Sequence, residues 1–183
     1  MCKKTKIMDM YILSRVFDST FDAVVPLGVH KMELSKFLLP GFKMTATLAS
    51  GVFCGTAISF LFTDLPIYLT IEPSVAIESF RIKLERSSNY QGPLGILIIL
   101  STSSVYLLDR KNGFPWLLGG LLFASSGILS GSFIKKPIAR LLQETKSREV
   151  VQENFLELGK LHLVRTVIGF AGFGIFVYQL AFT

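Results

Sequence analysis

The chain has 183 residues and 20.3 kDa, with 50% hydrophobic and only 17% charged residues, against roughly 25% charged in an ordinary soluble domain. Four stretches, 44–63, 87–108, 112–134 and 166–183, carry no charge at all, and each is close to the ~20 residues that take a helix across ~30 Å of hydrocarbon. A soluble enzyme with a solvated surface, a disordered tail and a disulfide scaffold are thereby excluded.

The net charge of +6 comes from basic residues that flank the apolar stretches, as in chains that lie against anionic lipid headgroups. No arginine-rich helix with interleaved aromatics or other nucleic-acid module is visible, so nucleic acid is not an expected partner. Cys2 and Cys54 are the only cysteines. One is near the N-terminus and one inside an apolar stretch, which makes a disulfide between them unexpected and leaves the redox compartment open. An organelle inner membrane and an endomembrane both fit. Lys3, Lys4 and Lys6 resemble the start of a signal peptide, but Asp9, Arg15, Asp18 and Asp22 interrupt any apolar core behind them. The N-terminus is expected to be retained.

The expected fold is an all-α, antiparallel bundle of four transmembrane helices, residues 41–183, preceded by an amphipathic helical arm over 1–40. In the arm, Met8, Ile12, Phe17, Phe21 and Val24 or Val25 alternate with charged residues at the spacing of a helix lying on a membrane or a neighbour. A short helix over about 29–39 follows, and Pro40-Gly41 turns the chain into the bilayer. The first span covers about 43–63. Thr47, Gly51, Gly55 and Ser59 recur every four residues on it, a smooth face for close helix approach. Residues 74–86 read as an amphipathic helix. The second span, about 92–108, opens at Gly92-Pro93, where proline is tolerated in a first turn.

A tight polar turn at Asp109-Arg110-Lys111 makes spans two and three a hairpin. Pro115 opens the third span, about 115–134, with Trp116 at the depth of an interfacial tryptophan. Gly127 and Gly131 mark a second packing seam, and Lys135-Lys136-Pro137 ends the span. Residues 138–160 read as a charged helix that runs unbroken into the fourth span, about 161–182. Residues 1–40 and 138–160 are the surfaces through which other membrane subunits would dock. No repeat of 20–50 residues is apparent.

Four crossings place the end of span one, the start of two, the end of three and the start of four on one side, here called the loop side. Asp64, Asn89, Tyr90, Lys135, His162 and Arg165 belong there. Arg165 stands about one turn inside the last span, where arginine costs up to ~2.5–3.5 kcal/mol at mid-bilayer and less near an interface; His162 is one turn away on the same face. Two readings stand side by side. In one, Arg165 snorkels to headgroups or pairs with a carboxylate, and His162 bonds locally. In the other, a carboxylate–arginine pair beside a histidine forms a polar pocket, with His162, Arg165 and Asp64 as catalytic candidates and Tyr90 and Lys135 as substrate-binding ones. An imidazole held this way is a general base, and the guanidinium stabilises a developing oxyanion. The two histidines are too few and too far from mid-span for bis-histidine haem. No di-iron, nucleotide or nucleophile-elbow motif is present, so no metal and no cofactor is expected.

Leu161-His162-Leu163-Val164-Arg165-Thr166, together with Ala49-Ser50-Gly51-Val52-Phe53-Cys54-Gly55, Pro66, and Pro137 followed by Leu141 or Leu142, resembles the anthrone oxygenase-like family of four-helix membrane proteins over residues 42–182. Leu158-Gly159-Lys160 stands where that pattern has a tryptophan, and Ile138-Ala139 where it has an asparagine. Members with a known activity oxidise anthrones to anthraquinones with dioxygen and no evident cofactor. The resemblance implies a base near His162 that deprotonates a flat, apolar, quinone-like substrate, with Arg165 holding the enolate-like oxygen. The alternative is a non-catalytic accessory subunit of a larger membrane complex, packed without a cavity.

Overall fold

The computed structural model describes residues 31–142 and 147–182. The expected amphipathic pattern over 8–25, Lys3, Lys4, Lys6, Cys2 and His30 lie outside the described residues. The chain divides at Leu38–Leu39 into two units, and of the first the described residues 31–38 are helical.

Every described element is helical. Helix α1, Lys31–Ser59, passes through a π-helical turn, Phe60–Asp64, into α2, Leu65–Thr70; α3 is Pro73–Leu108. Helix α4, Phe114–Leu129, passes through a second π turn, Ser130–Ile134, into α5, Lys135–Leu141; α6 is Arg148–Phe182. Four continuous segments, Lys36–Thr70, Pro73–Leu108, Phe114–Leu141 and Arg148–Phe182, are long and apolar enough to cross a membrane. The expected four-helix architecture of an integral membrane protein is therefore present, with longer helices than the apolar stretches alone define.

The difference arises at the prolines. Pro40 and Pro93 were expected to start or turn spans, yet both lie inside helices. In hydrocarbon an interrupted helix leaves several backbone groups unpaired, which costs more than the one hydrogen bond a proline removes. The first-turn proline of the second span is Pro73, so the expected helix at 74–86 and span two are a single 36-residue helix. At ~1.5 Å per residue this is about 54 Å, nearly twice the hydrocarbon thickness. Pro137 also lies within a helix. One helix ends at Leu141 and the next begins at Arg148, so the described parts of 138–160 belong to two helices: the first residues finish span three and 148–160 begin α6.

Pro66 and Pro137 each follow a π turn closely. A proline ring strikes the carbonyl four residues back, which is Phe62 in one case and Phe133 in the other. Both carbonyls sit in the widened turns, where the extra residue per turn makes room.

The second half of the chain repeats the first: long helix, π turn, short helix, connection, then a helix of 36 or 35 residues. Several residues stand in similar, though not always identical, places in the two halves. Phe53 corresponds to Phe123, Pro66-Ile67 to Pro137-Ile138, and Val75-Ala76-Ile77-Glu78-Ser79-Phe80 to Val150-Val151-Gln152-Glu153-Asn154-Phe155. The repeating unit is a whole helical hairpin, and few of its residues are shared, which is why a search for short periods misses it.

Two cores stack along the bundle. One lies among the charge-free segments and contains Phe53, Ile98, Val105, Trp116, Phe123 and Phe176. The other lies on the loop side, where charged residues appear on the outer faces. It contains Phe60, Tyr68, Phe80, Ile134, Leu141, Phe155 and Leu158. Trp116, expected at an interface, is fully buried and stacks on Phe176 at 5.2 Å and 7°.

Close approach in the first core depends on glycines other than most of those expected. Gly51 does meet Phe173, at 3.4 Å from its Cβ position, but Gly55, Gly127 and Gly131 have nothing within 4 Å. The seam is made by Gly119, Gly120 and Gly172: a Cβ there would lie 2.3 Å from Phe176, 2.2 Å from Thr102 Oγ1 and 2.8 Å from Phe123. Small residues were the right signal, since lipid removes the hydrophobic drive and leaves packing to hold helices together; spacing alone did not identify the face. Gly120→Val is expected to destabilise by about 1–3 kcal/mol through overpacking, whereas Gly131→Ala is expected to be neutral or to stabilise by up to ~1 kcal/mol through helix propensity. Thermal melts in one detergent test the pair, and equal losses in both would restore the expected seam.

Candidate functional site

Between the two cores lies a cavity of about 240 Å³. Its depth follows from the sequence, because most of its polar lining comes from the loop-side ends of the charge-free stretches or just beside them: Thr56 and Ser59 on α1, Ser87, Tyr90 and Gln91 on α3, Ser130 of the second π turn, and Arg165 just before 166–183; Lys83 and His162 complete it. Apolar side chains complete it, with Phe60 and Ile134 contributed by the two π turns and Phe80, Leu84, Ile138 and Leu158 by the helices. The two halves of the chain line it with corresponding residues. Lys83, Ser87 and Tyr90 of α3 occupy the positions of Leu158, His162 and Arg165 in α6.

His162 and Arg165 share one face of α6 at i, i+3 spacing, with side chains as neighbours. His162 is 8% exposed and sits edge-on to Phe60, ring centroids 4.4 Å apart. Its Nε2 is buried and has no hydrogen-bond partner among the described residues. Arg165 donates from Nη2 to Gln91 Oε1 at 3.0 Å, and Gln91 Nε2 donates to Thr56 Oγ1 at 3.4 Å. The guanidinium carbon lies 4.7 Å from the Phe53 ring centroid, a cation–π distance. The Nε of Arg165 is buried and unpartnered among the described residues. The arginine is thus held by an amide and an aromatic face, while one of its donors remains uncommitted. Most buried polar atoms have partners, so two bare nitrogens on neighbouring residues that line one cavity are the site's distinguishing feature.

Other expected members fall elsewhere. Asp64 does not pair with Arg165. It forms an ion pair with Lys83, which lines the cavity and lies 5.9 Å from the Phe60 ring centroid. Tyr90 lines the cavity but is 41% exposed. Lys135 is exposed and does not line it. Ile134, Pro137 and Leu141 take the inward face of that helix, and Lys135 lies about 100° round from Ile134. Asn89 is likewise exposed and outside the lining. Sequence reasoning missed Gln91 and Lys83. An uncharged glutamine in an apolar stretch is a signal in itself, since its amide needs a partner there. Lys83 sat within an expected amphipathic helix and looked like one more solvated charge.

Of the expected docking surface at 138–160, several of the described apolar residues face inward. Leu141, Val151, Phe155 and Leu158 are buried in the loop-side core, and Arg140 and Glu157 clasp on the outside, with Nη2 at 2.8 Å from both carboxylate oxygens. Among the described residues no group of three His, Cys, Asp or Glu side chains is placed to hold a metal ion.

No family model matches the chain, and no curated protein or solved structure matches it either.

Proposed function

We propose that this membrane protein binds a small, flat, lipophilic compound bearing a methylene activated by a conjugated carbonyl, and oxidises it with dioxygen without a cofactor, in the manner of the anthrone oxygenases. The observation that carries the reading is the pair of buried nitrogens without a partner among the described residues, His162 Nε2 and Arg165 Nε, on two residues that line the cavity. A carbonyl oxygen accepting from Arg165 takes up enolate charge through the conjugated ring as a proton of the methylene across that ring passes to Nε2 of His162. The carbanion's electron pair then reduces dioxygen as the C–O bond forms, and the resulting hydroperoxide loses water. The methylene becomes a ketone, and its two hydrogens leave with one oxygen atom as water.

The alternative, a non-catalytic accessory subunit, was expected to be packed without a cavity; the presence of one beside His162 favours the ligand-binding reading.

The test is oxygen uptake by the whole chain, reconstituted in phosphatidylcholine vesicles, with anthrone as substrate. Uptake is expected to exceed the protein-free rate by at least tenfold and to saturate with anthrone. A rate no higher than that of empty vesicles would remove the enzymatic reading.

A further inference from the structure

We propose that the cavity is filled from within the bilayer, through the crevice between α1 and α3, and that its ligand is a lipophile already dissolved in the membrane. This rests on the reading of the cavity as a ligand site and adds the route and the phase from which the ligand comes.

The argument starts from which lining residues reach the outside. Two are exposed, Ser59 and Tyr90. One belongs to α1 and the other to α3, and both lie in charge-free stretches, 44–63 and 87–108. These helices are neighbours at that level, since Gln91 of α3 reaches Thr56 of α1. The opening is therefore between them and faces hydrocarbon near its loop-side edge. A tyrosine there suits the depth, with its ring in the apolar phase and its hydroxyl toward headgroups.

No lining residue on the other sides is exposed. Ile134 on the third span and Leu158 and His162 on α6 are buried. Toward water, Phe80 packs edge-on against Phe155 at 5.6 Å and against Tyr68 at 6.0 Å, which makes an aromatic roof. The Lys83–Asp64 ion pair stands beside it. Gly55, one turn before Ser59 on the same face, has nothing within 4 Å of its Cβ position, so α1 presents bare backbone directly below the opening. A water-borne ligand would have to displace an aromatic core, whereas a membrane-dissolved one meets a serine, a tyrosine and a glycine.

The experiment uses photolabelling, which reads occupancy and not turnover. The full chain is reconstituted in phosphatidylcholine vesicles with benzophenone, a lipophilic ketone that inserts into nearby C–H bonds on irradiation. Labelled residues are mapped by mass spectrometry. Leu84, Ile134 and Leu158 are expected to be labelled in the wild type. Ser59→Trp, which fills the crevice from an exposed position, is expected to lower that labelling at least tenfold while labelling at the exposed Ile96, Leu97, Ile99 and Leu100 stays constant. Tyr90→Ala is expected to raise cavity labelling. Benzophenone-4-sulfonate, confined to the aqueous phase, is expected to leave the cavity unlabelled. Cavity labelling that persists in Ser59→Trp, or that the sulfonate produces, would overturn the membrane route and leave the ligand site standing. Absence of cavity labelling in the wild type would overturn both, whereas absence of anthrone oxidation with labelling intact would remove only the enzymatic reading.

Discussion

Replacing His162 by leucine is expected to lower anthrone-dependent oxygen uptake by about 10²–10⁴-fold, the range a positioned general base contributes, while raising the protein's stability. The two effects share one cause. The imidazole is buried against Phe60 with Nε2 bare, and a buried polar atom without a partner costs about 1–3 kcal/mol. Leucine is of similar size and has nothing to satisfy, so that cost disappears along with the base. A gain in melting temperature of several degrees with loss of turnover identifies a residue kept for chemistry. A fall in melting temperature would show that the histidine has a structural bond that leucine cannot make. Uptake at the wild-type level would remove the histidine from the reaction.

Arg165→Lys belongs to the same experiment. Lysine keeps the charge but loses the Nη2 contact to Gln91 and the Nε donor beside it. It is expected to retain part of the binding and little of the turnover.

The second large effect concerns stability alone. Phe155→Ala is expected to cost about 3–5 kcal/mol, the usual range for an aromatic truncated in a packed core. Phe155 is fully buried, stacks on Tyr68 at 5.1 Å and meets its counterpart in the other half, Phe80, edge-on at 5.6 Å. The loop-side core lies where the outer faces carry Glu78, Arg81, Glu85, Arg86 and Glu157. The hydrophobic effect operates there as in a soluble protein, which it does not among the charge-free segments. Phe133→Ala, at an exposed position in the second π turn, is expected to change stability by less than ~0.5 kcal/mol. Thermal denaturation of both variants in the same detergent makes the comparison, and similar losses would mean that the loop-side core does not hold the hairpins together.

How far the sequence reached can be seen residue by residue. The absence of charge over 44–63, 87–108, 112–134 and 166–183 located all four crossings, because hydrocarbon excludes charge whatever the tertiary arrangement. The same rule brought His162 and Arg165 to attention. The prolines misled. Pro40, Pro93 and Pro137 have the local chemistry of helix ends, but in lipid the cost of unpaired backbone outweighs local preference at Pro93, and the π turn before Pro137 makes room for its ring. The glycines misled for another reason. A four-residue spacing shows that a smooth face exists, and it cannot say whether another helix of the chain lies against it; nothing lies within 4 Å of the Cβ positions of Gly55, Gly127 and Gly131, and Gly119, Gly120 and Gly172 make the seam.

The sequence by itself determined the class of protein, the number and position of its crossings, and the level in the membrane at which polar residues gather. Solvation decides these, and it acts on each residue separately. Only the tertiary structure decided that Gln91 and not Asp64 holds Arg165, that Lys83 claims Asp64, that Lys135 faces away, and that a cavity remains between two cores. Those outcomes depend on the rotation of each helix about its own axis, which two π turns and the packing of a handful of aromatics set. No single segment of the chain contains that information, since it comes from how one helical hairpin meets the other.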